Sequence, residues 1–590
     1  MCGIIGIISD NNLSDKLVDK LKQLEYRGYD SAGICICKEK QFNITKQIGE
    51  VDNLKQKVQS STSGGFGIGH TRWATHGKTN LTNCHPHISD NGQWAIVHNG
   101  IIENYLEIKK LLQEKGVTFK SATDSECVAN LLGYNNAMSI KDVIKSINKL
   151  EGSYALAMVN KNIEEKIFLA KKGSPLYVAK CGKDMCISSD IVCFYDNAKE
   201  FYSLEDGQFC IVEKDKIQFF DKNANQIHVK AKTLVTKNNK VDKEEYGHFM
   251  LKEIFETNNL LKDVYRYYTN NEEIIFDAKR LFRKCKQILL VGCGTAYHSA
   301  LIGERFLKEK LQKPIFSYIA SEFVYDNVHI DTDTLAIFIS QSGETADTIS
   351  ALKKAKQKGA ETIAITNNIN SQIAFLADYT LPVLAGVEIA VASTKAYNCQ
   401  CFVFELLSSF ASGGVGFIKN FDELVFSIQN VDNGLALDIA KSIYKLKEVF
   451  FIGRGIDYVT CLEASLKLKE ISYINSLACP SGELKHGSLA LIEKGTVVFM
   501  PITTLEQKEK SLISLKEVKT RGARVYVISP YEDIKEYLDE KDIFVKICDV
   551  GKQTYQLATI YFQLIAYYTS YIKGINPDKP RNLAKSVTVE

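Results

Sequence analysis

Three groups of residues in this chain have the types and spacing to do chemistry. The first is Ser340-Gln341-Ser342-Gly343-Glu344-Thr345. An apolar run from Leu335 to Ile339 reads as a buried parallel strand, and helical spacing begins near Thr345 and continues through Ile349, Leu352 and Ala355. A strand that delivers hydroxyls to the start of a helix makes an anion site, because free backbone N–H groups and the positive end of the helix dipole point the same way. There is no Gly-x-x-x-x-Gly-Lys, so the cradle suits a small-molecule monophosphate rather than a nucleotide; the plain alternative is a Ser-rich N-capped turn. The second is Cys2, where loss of Met1 would leave an α-amino group on the same residue as a thiol, a base beside a nucleophile. The third is the helix-patterned stretch 462–471, on which Lys467 and Glu470 share a face; a solvated helical pair is the plain alternative.

Other elements must hold these groups. Ile4-Ile5-Gly6-Ile7-Ile8 is a buried strand that would fix Cys2 at the end of a rigid element. The second half of the chain is an internal repeat. Gln287–Gly292 followed by a glycine turn and a helix returns as Val449–Gly453 with its own glycine turn, and the strand before Ser340 returns as Thr496–Met500. Lys358-Gly359-Ala360 before a strand returns as Arg521-Gly522-Ala523. Gly292-x-Gly294 lacks the third glycine of a dinucleotide fingerprint, and no ribose-binding carboxylate follows at the expected spacing. Residues 150–235 alternate apolar and polar and are expected to form a second sheet of the N-terminal domain, and the charge-dense 230–245 reads as linker.

Composition bounds the answer. The 590 residues suggest three or four domains, with 45% hydrophobic and 24% charged residues, as in globular protein. A net charge of +3, from 73 basic and 70 acidic residues, gives no footprint for nucleic acid. No window is long and apolar enough for a membrane span, and the N-terminus lacks the basic region of a signal peptide. Sixteen cysteines without framework spacing are expected to be reduced thiols in a cytoplasm.

Five further stretches bear on Cys2: Leu24-Glu25-Tyr26-Arg27-Gly28-Tyr29-Asp30-Ser31, Gly69-His70-Thr71-Arg72-Trp73-Ala74-Thr75-His76-Gly77, Asn83-Cys84-His85-Pro86-His87, the strand 94–98 ending in Asn99-Gly100, and Ser121-Ala122-Thr123-Asp124-Ser125. With them the chain resembles the N-terminal-nucleophile glutaminase domain of class II amidotransferases over residues 2–235. The resemblance implies an αββα domain in which Cys2 attacks the amide of L-glutamine. Asn99 and the Gly100 N–H would form the oxyanion hole, Arg72 would take the substrate carboxylate and Asp124 its ammonium. Thr75, His76 and Trp73 would belong to the loop that closes over glutamine, with Trp73 gating ammonia. His85 and His87 invite a metal reading, but the family implies none and they are taken as structural.

Both repeats resemble sugar isomerase domains, which implies two tandem αβα units with parallel sheets at 281–430 and 440–575, after a linker and leading helices at 236–280 and before a C-terminal catalytic tail at 576–590. Thr295, Ser340, Gln341, Ser342 and Thr345 would hold the phosphate of D-fructose 6-phosphate, with Glu388, Val391 and Ser393 along the sugar. The second copy has Pro501-Ile502-Thr503-Thr504 at the phosphate loop, so one phosphate site per chain is expected. The resemblance gives Lys585 a Schiff base with the substrate carbonyl, Glu470 the proton transfer, Lys467 charge stabilisation and His486 ring opening from a neighbouring subunit. It therefore implies an α/β and α+β multidomain enzyme that moves nitrogen from glutamine to a ketose phosphate, as a homodimer, with neither metal nor organic cofactor. Ala296 stands where the family has a phosphate-touching serine, Ser488 where it has proline, and Cys84 where it has alanine. A glutaminase serving another acceptor and a non-catalytic phosphosugar sensor are the rivals; the repeat argues against the first, and Cys2 with Lys585 against the second.

Overall fold

The computed structural model describes residues 2–58, 64–73, 78–234, 243–414, 416 and 418–588. The chain forms two compact units, one made of 1–238 with 344–346 and 584–590, the other of 239–343 and 347–583.

In the first unit two antiparallel sheets stack face to face. One has eight strands in the order Lys232–Thr233, Glu200–Ser203, Tyr177–Cys181, Asp184–Ser188, Gly3–Ser9, Gly65–Arg72, Ser31–Lys38 and Gln41–Ile48. The other has seven, in the order Gln226–Ile227, Lys216–Phe220, Phe209–Glu213, Ile167–Lys172, Gly152–Asn160, Trp94–Ile102 and His87–Ile88. The strand Gly3–Ser9 is buried along its whole length because both of its faces are covered. Ile4 and Ile8 join Val97, Ala155 and Leu169 between the sheets, whereas Ile5 and Ile7 pack on Leu17 and Leu21 of the helix Leu13–Gln23. On the far side, Trp94, Ile96, Leu156 and Met158 pack against the helices Ser125–Tyr134 and Ile140–Ile147. The result is the expected αββα layering.

The expectation that 150–235 would form one second sheet is corrected here. Tyr177–Cys181, Asp184–Ser188, Glu200–Ser203 and Lys232–Thr233 belong to the first sheet, where Asp184–Ser188 pairs directly with Gly3–Ser9, Ile5 opposite Ser188. Period-2 alternation marks a strand and its faces, but not which sheet it joins.

In the second unit the helices Phe249–Thr269 and Glu272–Lys284 lead into two five-stranded parallel sheets of the same order. The first runs Ile315–Ile319, Gln287–Gly292, Thr334–Ser340, Glu361–Thr366, Tyr379–Pro382, and the second Asn475–Pro480, Glu448–Gly453, Val497–Pro501, Arg524–Ser529, Ile543–Lys546. Thr334–Ser340 is the central strand and is wholly buried. Leu335, Ile337 and Ile339 face one core, and Ala336 and Phe338 face the core that holds Leu352 of the helix Ala346–Gln357. Coverage on both faces explains the uninterrupted apolar run. Among the described residues no helix is long and apolar enough to cross a membrane.

Candidate functional site

At the nucleophile end, antiparallel register places Gly3 opposite Thr71, which brings Cys2 alongside the end of the strand Gly65–Arg72. The Trp73 backbone N–H donates to Cys2 Sγ at 3.4 Å, and the half-buried thiol lies 3.5 Å from the Trp73 carbonyl. Burial raises the Cys2 thiol above its ordinary value, opposed by the N-terminal charge, the Trp73 N–H and Arg72. A thiol held protonated in this way needs a local base to become a nucleophile.

Asn99, buried in the strand Trp94–Ile102, donates through Nδ2 to the Cys2 carbonyl at 2.9 Å. Its Oδ1 lies 3.1 Å from His70 Nε2, which is also 3.0 Å from the His98 carbonyl. Both oxygens accept, so Nε2 carries the hydrogen. Burial pushes the His70 pKa down to about 3, keeping the ring neutral. His85 packs on His70 with ring centroids 4.0 Å apart and lies edge-on to His87 at 4.6 Å. Burial also holds both of those rings well below the usual histidine value.

The residue after Asn99 has no freedom to carry a side chain. Gly100 has φ +136°, and a Cβ there would lie 2.1 Å from the Ser153 carbonyl oxygen. Asp124 accepts the Ile102 N–H at 2.8 Å through one oxygen and lies 3.4 Å from Ser125 Oγ through the other. Arg72 is buried and its carbonyl accepts the Asp30 N–H at 3.0 Å. Thr75 and His76 lie outside the described residues.

At the sugar end, the helix Thr295–Lys310 starts after Gly294, which has φ 53° and ψ −123°. Cys293 Sγ lies 3.7 Å from Thr348 Oγ1, so this turn meets the first turn of the helix Ala346–Gln357. Ser340 accepts the Gly343 N–H at 3.0 Å through Oγ and so shapes the loop that follows. Gly343 has φ +70°, and a Cβ there would fall 1.9 Å from Ser371 Oγ. Among the described residues, Asn367 donates its backbone N–H to the Gln341 carbonyl at 3.2 Å. Two helix N-termini and a hydroxyl-rich loop thus share one end of the first parallel sheet, the usual place for a ligand in an open α/β sheet.

The helix Ile456–Ser472 carries Glu463, Lys467 and Glu470. Lys467 is 1% exposed, with Nζ 2.7 Å from Glu470, 3.5 Å from Glu463 and 3.1 Å from Thr295 Oγ1. Glu463, also 1% exposed, accepts from Thr295 Oγ1 at 3.2 Å and contacts His298 Nδ1 at 2.7 Å. Burial opposes both charges, but each sustains the other. Glu470 and Glu463 hold the Lys467 ammonium above its ordinary value, and Lys467 with His298 holds the Glu463 carboxyl below its own. A solvated pair is excluded by this burial. Glu463 and His298 were not singled out in the sequence; the signal for Glu463 is its place four residues before Lys467.

Glu388 and Ser393 have a second employment. Glu388 accepts the Thr394 and Ala396 backbone N–H groups at 2.9 and 3.1 Å and the Ser393 hydroxyl at 2.9 Å, capping the helix Lys395–Ala411. The Val391 N–H donates to the Asp578 carbonyl at 3.0 Å. His486 is exposed on the short turn Glu483–His486. Lys585 and Thr345 are half-buried and belong to the first unit.

Comparison with known proteins agrees with both halves. The family model for a glutamine amidotransferase domain matches residues 70–196, and that for the SIS domain matches 281–409 and 442–534. The chain is 43% identical over its full length to the full-length glutamine–fructose-6-phosphate aminotransferase (isomerizing) of Caldanaerobacter subterraneus subsp. tengcongensis. It is 41% identical, again over the whole of both chains, to the protein of that name from Pyrococcus horikoshii. A solved C-terminal domain of glucosamine-fructose-6-phosphate aminotransferase from Francisella tularensis covers 58% of this chain and 100% of its own, with 32% identity and a TM-score of 0.53. With glutaminase-type and sugar-isomerase-type centres in one polypeptide and this identity from end to end, the chain belongs to the glutamine–fructose-6-phosphate aminotransferase (isomerizing) family.

Proposed function

We propose that the chain transfers the amide nitrogen of L-glutamine to D-fructose 6-phosphate, giving L-glutamate and D-glucosamine 6-phosphate. The observation that carries this reading is the presence in one chain of Cys2 under Asn99 and Trp73, and of a buried Lys467 between two glutamates. We assign glutamine hydrolysis to residues 2–235 and sugar chemistry to the repeats at 281–430 and 440–575 with the tail 576–590.

Once Met1 is removed, the α-amino group of Cys2 takes the thiol proton and the thiolate attacks the glutamine amide carbon. Asn99 Nδ2 and the Gly100 N–H carry the developing oxyanion, the C–N bond breaks with protonation of the leaving nitrogen, and ammonia departs. Water then hydrolyses the γ-glutamyl thioester to glutamate. Arg72 and Asp124 orient the substrate's carboxylate and ammonium, and Trp73 is assigned the gating of ammonia. In the other centre Thr295, Ser340, Gln341, Ser342 and Thr345 hold the phosphate. His486 assists ring opening, and Lys585 condenses with the C2 carbonyl, releasing water. Ammonia replaces the lysine on C2, and Glu470 takes a proton from C1 and returns one to C2, so that a ketose imine becomes an amino aldose. Lys467, permanently charged between Glu463 and Glu470, offsets the negative charge that builds at the substrate oxygens. The exposure of His486 supports its use by a second copy, hence a homodimer, and sixteen cysteines free of disulfides support a cytoplasmic setting.

The test is product analysis with amide-¹⁵N glutamine and fructose 6-phosphate. ¹⁵N in glucosamine 6-phosphate, its loss in Cys2→Ala and partial rescue of that variant by added ammonia are expected. Glutamate without amino sugar would show that the acceptor is wrong.

A further inference from the structure

The two sugar isomerase repeats treat one position differently. A Cβ added to Gly292 would lie 2.8 Å from the carbonyl carbon of Ala296, and one added to Gly453 would lie 2.6 Å from that of Asp457. Gly294 and Gly455 share a conformation, φ 53° and ψ −123° against φ 56° and ψ −123°. Ala296 and Asp457 are therefore the same residue of the two repeats, the second of a helix whose N-terminus faces the turn after the central strand. In the first repeat the space beside Gly294 is open, with nothing within 4 Å of an added Cβ. In the second repeat the same space beside Gly455 holds Gln507, whose Nε2 would lie 2.2 Å from that Cβ.

Asp457 is 1% exposed and does not reach solvent. Its Oδ2 accepts the Thr503 backbone N–H at 3.0 Å and its Oδ1 accepts the Thr503 hydroxyl at 2.5 Å. Thr503 lies in the turn that follows Val497–Pro501, the counterpart of the Ser340–Ser342 turn after Thr334–Ser340. A backbone N–H, a hydroxyl and a helix N-terminus are the donor set that the first repeat offers to an anion, and here a carboxyl group of the chain itself takes it.

We infer that Asp457 is a built-in carboxyl group that fills the second repeat's ligand site, with Gln507 as its cover, so that each chain binds one phosphosugar rather than two. The absence of the first repeat's serines is then only part of the reason that one repeat is silent; the scaffold for an anion persists and is occupied from within. This rests on the reading of Ser340–Thr345 as the phosphate site. Covalent continuity makes the internal group hard to displace, since free phosphate does not compete on equal terms with a tethered group.

Equilibrium dialysis of the full-length chain against radiolabelled inorganic phosphate counts the sites. Wild type is expected to bind one equivalent per chain, and Asp457→Ala with Gln507→Ala to bind two. Asp457→Asn with Gln507→Ala keeps a side chain in the site, its Oδ1 accepting the Thr503 N–H and its Nδ2 donating to the Thr503 hydroxyl oxygen, and is expected to stay at one. Asp457→Ser with Gln507→Ala is a second opened variant should the first fail to fold. The inference is overturned if wild type binds two equivalents, or if an opened variant with native circular dichroism and wild-type synthase rate binds only one. Zero equivalents in wild type would instead sink the reading of the first repeat.

Discussion

Replacing His70 by Phe should lower glutamine hydrolysis by about two- to twelvefold in kcat while leaving KM for glutamine unchanged. The figure comes from what His70 does to Asn99. An Asn side chain presents either N–H or C=O toward the nucleophile, and only the N–H can carry an oxyanion. His70 Nε2, 3.1 Å from Asn99 Oδ1, selects the useful orientation, and the Asn99 bond to the Cys2 carbonyl at 2.9 Å accompanies it. A neutral hydrogen bond has a net value of about 0.5–1.5 kcal/mol, which is the two- to twelvefold population change. Phe keeps the packing against His85, where the ring centroids are 4.0 Å apart. Asn99→Ala removes the donor itself and should cost about 10²–10³ in kcat. If His70 acts through Asn99, the His70→Phe loss should vanish in the Asn99→Ala background, and a steady-state glutaminase assay on the four proteins measures this. With its pKa near 3, His70 should add no inflection to the wild-type rate between pH 5 and 9. An equal loss in both backgrounds, or a His70→Phe loss above about 100-fold, would refute the reasoning.

Two further outcomes follow from the buried charges. Lys467→Met should abolish ammonia-dependent formation of glucosamine 6-phosphate while glutamate release persists. It should also destabilise the fold by about 3–5 kcal/mol, because Glu463 is left buried with an uncompensated charge, and adding Glu463→Gln should recover part of that stability in thermal denaturation. Glu405 is 2% exposed, and burial raises its carboxyl from 4.5 to about 7 against hydrogen bonds from Gln556 and Tyr555. Because its folded pKa lies above its unfolded one, its contribution is fully present below about pH 4.3 and is lost as pH rises through 7, roughly 3 kcal/mol at the limit. Glu405→Gln should therefore gain melting temperature relative to wild type as pH rises from 5 to 8, while the buried neutral His70, His85 and His87 act in the opposite sense in both proteins; a constant difference between the two proteins across that range would remove Glu405 as a cause. Asp457, raised to about 7 by burial, acts in the same direction as Glu405 in both proteins.

Much of this architecture is written locally. The runs Ile4–Ile8 and Leu335–Ile339 are apolar at every position because each strand is covered on both faces, and that pattern survives in the bare sequence. The doubled order of glycine turns and strands exposed the repeat, and the three-residue spacing of Lys467 and Glu470 placed both on one helical face, where they lie 2.7 Å apart. Cys2 stood out by its place just before a buried strand, whereas Arg72, Asn99 and Asp124 were named through the resemblance to the glutaminase family and not from their own spacing.

Other properties have no local signature. The four strands from Tyr177 to Thr233 that join Gly3–Ser9 look, residue by residue, like those that join Trp94–Ile102; a pairing between positions 5 and 188 depends on the whole sheet. The same holds for Lys467, whose charge is sustained against burial by Glu463 and Glu470, for Glu388, whose carboxylate caps a helix, and for Asp457, whose meaning lies in Thr503 and Gln507. Alternation and spacing report on neighbours along the chain, so the sequence by itself determined the elements, the repeat and the reactive groups. Which groups lose their water, and which partner each then meets, depends on segments far apart in sequence, and only the tertiary structure decided it.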